Sequence, residues 1–204
     1  MNQTLKKHTL TESKILSESE LKTMLKAIKP YMEQSLRTKR HLHYINDFYL
    51  ILIGSLTGMR VSEIASVKIS DIGESSIQVI GKGGKMRSVP LGRKGMSAVT
   101  DLLQIKTDVM DQPTDPNQRL FLNRNGKPFT RFSIERRFSF WKKRCGITRK
   151  INFHSLRHYY ATYLLNNSFL LHEVQKMLGH SSPTTTAIYL HFTKETKARI
   201  NSAL

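Results

Sequence analysis

In the stretch Asn152-Phe-His-Ser-Leu-Arg-His-Tyr-Tyr-Ala161, His154 and Arg157 stand three positions apart, and His158 follows one turn after His154. On a helix, residues three and four apart share a face. This helix begins near His154, so the pair sits where the helix dipole and the free N–H groups favour an anion. Arginine offers a planar fork to two phosphate oxygens, and histidine exchanges a proton near neutral pH. The pattern points to phosphate chemistry. His154 and His158 also have the spacing of a helical metal pair. The Glu of an H-E-x-x-H motif is missing, however, and no cysteine or carboxylate cluster adds ligands, so no metal is assigned. A hydrogen-bonded core histidine remains the alternative for any one of the eight.

Two further segments bear chemistry. Gly81-Lys-Gly-Gly-Lys85 is rich in glycine, yet Met86 follows Lys85 where a nucleotide-binding loop needs Ser or Thr and then a helix. A hairpin lysine reaching a DNA phosphate or a leaving oxygen fits better, although the loop taken alone is also compatible with a solvated turn. In Val174–Phe192, Gly179 reads as the residue closing one helix and Pro183 as the first of the next, which leaves His180 in a tight turn. Tyr189 lies nine residues beyond it. The two helices also match a helix-turn-helix, and a tyrosine there can be plain core.

Composition bounds what these residues act on. The chain has 204 residues, 39% of them hydrophobic, enough for one sizeable core. Against 15 Asp and Glu stand 33 Lys and Arg, a formal charge of +18, and the pI is near 10.2. Such a field attracts polyanions, and nucleic acid is the expected partner rather than a small-molecule substrate. A membrane surface would require a basic amphipathic helix or a lipidation signal, and neither is evident. Cys145 stands alone, which excludes an internal disulfide and a cysteine-based zinc cluster. The first residues lack the apolar run of a secretory signal, and Phe48–Leu56 is too short to span a bilayer. These features imply a cytoplasmic, nucleoid-associated protein.

The elements that must position the candidate residues follow from periodicity. Residues 1–15 read as a basic polar tail. Ser17 and Glu20 then form a capping box, Leu16 and Leu21 a hydrophobic staple, and Leu21, Leu25 and Ile28 a helical face that runs to Pro30. A second apolar helix over 43–56 stops at Gly58, which puts Arg60 at the start of the next helix. Two β-like runs, Ile77–Ile80 and Met86–Leu91, make a hairpin around the lysine loop. A helix near 93–110, a loop, and a short strand and turn within 119–130 come next. The following helix buries Ile134, Phe138 and Trp141 and carries Arg136, Arg137, Lys142 and Lys143 elsewhere. Helices over 154–166 and 171–178 and a segment after Pro183 complete the chain. The expected class is α+β, mostly helical, with a small antiparallel sheet at one edge.

Arg60 in "TGMRVSEI", Lys82 in "GKGGKMRSVPL", His154 and Arg157 in "HSLRH", His180 in "LGHSS" and Tyr189 in "AIYLHF" occur in an order that resembles the tyrosine recombinase, or phage integrase, family. The likeness is greatest to its Xer-type and integron-type members. It spans about Leu16 to the C-terminus, so 16–204 is expected to be the catalytic domain. The resemblance implies that Arg60 and Arg157 clamp a scissile DNA phosphate. It further implies that Lys82 protonates the leaving 5′ oxygen, His154 acts as general acid and base, His180 as a hydrogen-bonding stabiliser, and Tyr189 as nucleophile. Glu63 matches a supporting acidic position, and His158 is left a structural role. Lys85, Arg87, Arg136, Arg137, Lys142 and Lys143 are expected to contact DNA. No cofactor and no metal are implied; the partners are double-stranded DNA and further copies of the chain, a tetramer on paired sites.

The chemistry is consistent with those roles. Neutralising a phosphodiester as charge accumulates in the transition state is the dominant need, and arginines, a lysine and histidines meet it without metal. A covalent phosphotyrosine retains the energy of the broken bond, so rejoining needs no ATP. Most relatives carry an amino-terminal core-binding domain, whereas only about fifteen residues precede the catalytic domain here. The expectation is therefore either a minimal enzyme or a fragment beginning at an internal methionine. The alternative function is a DNA-binding accessory protein that depends on a full-length partner; supercoil relaxation by the same chemistry and metal-dependent hydrolysis are weaker alternatives.

Overall fold

Helix α1 (Glu18–Thr38) starts at a reciprocal cap: Ser17 Oγ accepts the Glu20 N–H at 3.1 Å, and Glu20 Oε2 accepts the Ser17 N–H at 2.8 Å. Two otherwise orphaned donors are satisfied at once. The helix does not stop at Pro30 as expected but runs on to Thr38. An interior proline costs about 3 kcal/mol through its missing N–H and its ring. Here Pro30 faces solvent, while Met32 and Ser35 extend the buried stripe of Leu21, Met24 and Ile28 beyond it, and that packing outweighs the lost bond.

The computed structural model describes residues 11–112, 115–123, 125–180 and 182–193. Of the expected tail, residues 1–10 lie outside the described set, and so does the end of the expected segment after Pro183, from residue 194 on.

Helix α2 (His43–Thr57) is the centre of the molecule, packed against α1, α4 (Arg93–Asp108), α5 (Arg131–Arg144) and α6 (His154–Asn166). Its Ile45, Leu50, Ile51 and Ile53 are all buried, as a helix surrounded by others requires. It ends at Gly58, with φ +60, where an added Cβ would stand 2.5 Å from Tyr160 Cδ1. Only glycine meets both conditions. Asp47 on α2 is fully buried and would be costly unpaired. Arg137 of α5 pairs with it through Nε, at 2.6 Å, and through Nη2, and Trp141 Nε1 donates to Oδ2 at 2.7 Å.

Helix α3 (Val61–Ser66) leads to strands β1 (Ser76–Ile80) and β2 (Met86–Pro90), antiparallel with Val79 opposite Arg87 and Ile80 opposite Met86. Ile77, Val79 and Val89 point inward. Between the strands a turn at Lys82–Gly84 uses positive φ at Gly83 and Gly84. The strand expected within 119–130 is instead a pair of isolated bridges, Lys68 with Arg119 and Leu122 with Pro128. Pro128 has no N–H to continue a ladder, although Leu120, Phe121 and Leu122 are buried as a strand's would be. The chain closes with α6, α7 (Leu171–Leu178) and α8 (Pro183–Ala187). The protein is mostly helical, with a two-stranded antiparallel sheet at its edge. Its apolar interior falls into a large cluster around α2 and a small one of Tyr160, Ala161, Leu164, Val174, Leu178 and Tyr189.

Candidate active site

Arg60 caps α3 in extended backbone, and its carboxylate partner is one turn on. Glu63 Oε2 accepts the Arg60 backbone N–H at 2.7 Å, and Oε1 accepts from Arg60 Nη1 at 2.8 Å. The Arg60 side chain remains 29% exposed while that of Glu63 is 2% exposed, so the carboxylate is the fixed member of the pair. Burial alone would raise the Glu63 pKa; the Arg60 N–H and the neighbouring Arg87 outweigh it, and the carboxyl is held below its ordinary value.

Arg87 departs from the expectation of a DNA contact. It turns inward from β2, giving Nη2 to Glu63 Oε2 at 2.9 Å and Nη1 to the Met177 carbonyl at 2.7 Å. The start of α3, the hairpin and the end of α7 are thereby joined. Gly179 closes α7 with φ +64, and an added Cβ would lie 2.5 Å from Arg87 Cδ. The glycine that the sequence marks as a helix stop is thus also the space in which Arg87 lies.

Arg157 is 1% exposed on α6. Its Nη1 donates to the Gly58 carbonyl at 2.9 Å and its Nη2 to the Leu178 carbonyl. Those carbonyls end α2 and α7, where helix dipoles are negative, and they hold a cation that burial would otherwise disfavour. Burial and the charge of Arg60 lower its pKa to about 9, so it stays cationic at neutral pH.

His154 opens α6, with its ring edge-to-face on His158 at 4.8 Å between centroids. Burial, then Arg157 and Arg60, push the His154 pKa down to about 4. His180, in the turn after α7, shares a hydrogen bond of 2.8 Å between Nδ1 and Thr186 Oγ1, and burial with Arg157 and Arg60 lowers it to about 3. Tyr189 lies just past α8, 2% exposed, with its ring parallel to that of His180 at 6.4 Å. Burial lifts its phenol to about 12 although Arg157 and Arg60 draw it down. The same two guanidinium charges act on His154, His180 and Tyr189, so these residues from α3, α6 and the α7–α8 region face one cationic site.

One contact was not legible in the sequence. His158 Nδ1 and Tyr189 Oη are 2.9 Å apart, so the second histidine of the motif, expected only to be structural, touches the tyrosine hydroxyl. The helical spacing of His158 with His154 was visible; its distance to Tyr189, 31 positions away, needed the fold. The backbone of Lys82 lies in the hairpin turn, but its side chain is outside the described set. Among the remaining basic candidates, Lys85, Arg136 and Lys143 are exposed. Arg137 pairs with Asp47, and Lys142 Nζ donates to the Arg149 carbonyl at 3.2 Å, so both serve the interior. Among the described residues no three of His, Cys, Asp and Glu gather as a metal site, and no helix is long and apolar enough to cross a membrane.

Comparison with known proteins gives this arrangement a context. A phage integrase family model matches residues 14–196. The tyrosine recombinase XerC of Listeria welshimeri is 34% identical over 200 residues, covering 94% of this chain and 67% of that protein. The crystal structure of XerA recombinase superposes with a TM-score of 0.72 at 30% identity, over 93% of this chain and 64% of the other. XerH site-specific recombinase bound to palindromic difH substrate, a post-cleavage complex, gives 0.74 at 28% identity, over 94% and 53%. The chain thus spans about two thirds of that XerC and of XerA, and about half of XerH.

Proposed function

This chain belongs to the phage integrase family, and from that premise we propose that it breaks and rejoins DNA strands at a specific site through a 3′-phosphotyrosyl bond on Tyr189. The observation that carries the reading is that the charges of Arg60 and Arg157 act together on His154, His180 and the buried Tyr189, whose ring lies parallel to that of His180 at 6.4 Å. Arg60 and Arg157 take the non-bridging oxygens of the scissile phosphate, and their charge stabilises the more anionic pentacoordinate transition state. Arg157 is already oriented by two helix carbonyls, so little reorganisation accompanies the reaction. Glu63 and Arg87 fix Arg60 from behind. Tyr189 Oη attacks phosphorus in line, the 5′ oxygen leaves with a proton from Lys82, and a 5′ hydroxyl from a second strand reverses the step. The neutral His154 and His180 present N–H groups to the phosphate without adding charge to the resting site.

We assign residues 16–204 to the catalytic unit, a boundary supported by buried Leu16 and by a family match beginning at residue 14. Exposed Lys85, Arg136 and Lys143 contact the duplex. The working form is a tetramer on paired sites in the bacterial cytoplasm, at the nucleoid; the related XerH, which is bound to its difH substrate, supports DNA as the partner. The test uses nicked suicide duplexes tiled across the DNA flanking the gene, incubated with wild type and Tyr189→Phe. A denaturant-resistant adduct is expected with wild type only. Salt-sensitive binding without any adduct would instead indicate an accessory protein that relies on a longer partner.

A further inference from the structure

Tyr189 must lose its phenolic proton as it attacks, and among the described residues His158 is the titratable side chain hydrogen-bonded to that hydroxyl. Its Nδ1 is 2.9 Å from Tyr189 Oη, with the ring planes tilted by 49°. The histidine stands next to Arg157 on α6, so it is fixed to the phosphate clamp rather than to the segment that bears the nucleophile. The neighbouring imidazoles are placed differently: His180 Nδ1 is engaged by Thr186, and His154 meets the edge of His158.

We propose that His158 Nδ1 accepts the Tyr189 proton during strand cleavage and returns it during rejoining. The proposal rests on the strand-cleavage reading above. In the forward step the Oη–H bond breaks and the proton passes to Nδ1, while the Oη–P bond forms, the P–O5′ bond breaks and the leaving oxygen takes a proton from Lys82. In the reverse step the 5′ hydroxyl gives its proton to Lys82 and attacks phosphorus, the P–Oη bond breaks, and Nδ1–H gives its proton back to Oη.

Electrostatics make this transfer selective for the transition state. The groups facing His158 are His154 and Arg157 on its own helix, Lys14 from the N-terminal turn, and His180 and Tyr189 from the region after α7. Burial and these neighbours hold its pKa down to about 3, so the imidazole is neutral at every pH near neutrality, and its Nε2–H tautomer leaves Nδ1 free to accept a proton. An imidazolium is unfavourable in the empty cationic site. It becomes favourable when the phosphorane supplies an extra negative charge, so the stabilisation belongs to the reaction and not to the resting state.

The test follows covalent adduct formation on a suicide duplex that wild type cleaves, from pH 6.5 to 10, for wild type, His158→Phe and His158→Asn. General-base loss predicts cleavage slower by about 100-fold near pH 7 for both variants, with a deficit that narrows as pH rises and Tyr189 ionises unaided. Asn keeps an oxygen acceptor near the Nδ1 position but cannot take the proton. A fluorinated, more acidic tyrosine at position 189 is expected to restore part of the His158→Phe rate, which a misfolded variant would not show. Wild-type cleavage by His158→Asn, or a deficit constant with pH and untouched by fluorination, would overturn the proposal while leaving the cleavage reading intact. Absence of any wild-type adduct would overturn both.

Discussion

Three histidines are kept neutral beside two arginines, and this has a cost at low pH. His154, His158 and His180 have folded pKa values near 4, 3 and 3, all below the ordinary value of 6.5. Between 6.5 and about 4 the unfolded chain therefore binds more protons than the folded one, so stability is lost as pH falls through that window and is fully present above it. Each unit of pH costs at most about 1.4 kcal/mol per histidine, so the three together amount to about 2–3 kcal/mol between pH 6.5 and 5.5 once solvent screening is allowed for. Urea unfolding across this range is expected to show the fall, with His158→Phe removing about a third of it; a pH-independent midpoint would contradict the burial of these rings. At this scale the sequence was informative about identity more than about pairing. The spacing of His154 with Arg157 pointed to phosphate, because helix periodicity is local. Arg87 and Arg137 looked like surface cations, since their partners Glu63, Met177 and Asp47 are distant in sequence and only packing brings them near.

Among the elements, the closing turns of α2 and α7 shape the site. Gly58 and Gly179 both have positive φ, and both carbonyl ends hold Arg157. Gly83, in the hairpin turn, has φ +79 but nothing within 4 Å of an added Cβ. Gly179→Ala is accordingly expected to cost about 1–3 kcal/mol, more than Gly83→Ala, because it adds a collision with Arg87 to the backbone strain both share. Denaturant midpoints of the two variants measure the difference, and equal values would refute the close approach of Arg87. Caps and glycine stops were legible in the sequence because they are made of neighbouring residues. The continuation of α1 through Pro30 was not, since it depends on tertiary burial of Met32 and Ser35. The missing strand near Phe121 has a similar cause, with a buried apolar run that lacks a partner ladder.

Over the whole molecule, a formal charge of +18 makes DNA affinity fall with salt, and the fold divides that charge into cations that reach outward and cations that hold the core. Removing exposed Arg136 or Lys143 is expected to lower the slope of log K against log salt by about 0.9 each, whereas Arg137→Gln, altering a cation paired with Asp47, should leave it unchanged. A slope equally reduced by Arg137→Gln, read by fluorescence anisotropy on a duplex, would contradict that division. The small cluster containing Tyr189 is tied to the main interior through α6, whose Tyr160 packs against Gly58 at the end of α2. Function was legible from the sequence to the extent that the ordered motifs are; the contact of His158 with Tyr189 and the inward turn of Arg87 were not, because both are products of the assembled fold. The central claim concerns one covalent bond. The direct measurement is to trap the protein on a suicide duplex, digest it, and locate the nucleotide-bearing peptide by mass spectrometry. The account predicts a 3′-phosphoryl link to the peptide containing Tyr189; attachment at another residue, or cleaved strands carrying no peptide, would contradict it.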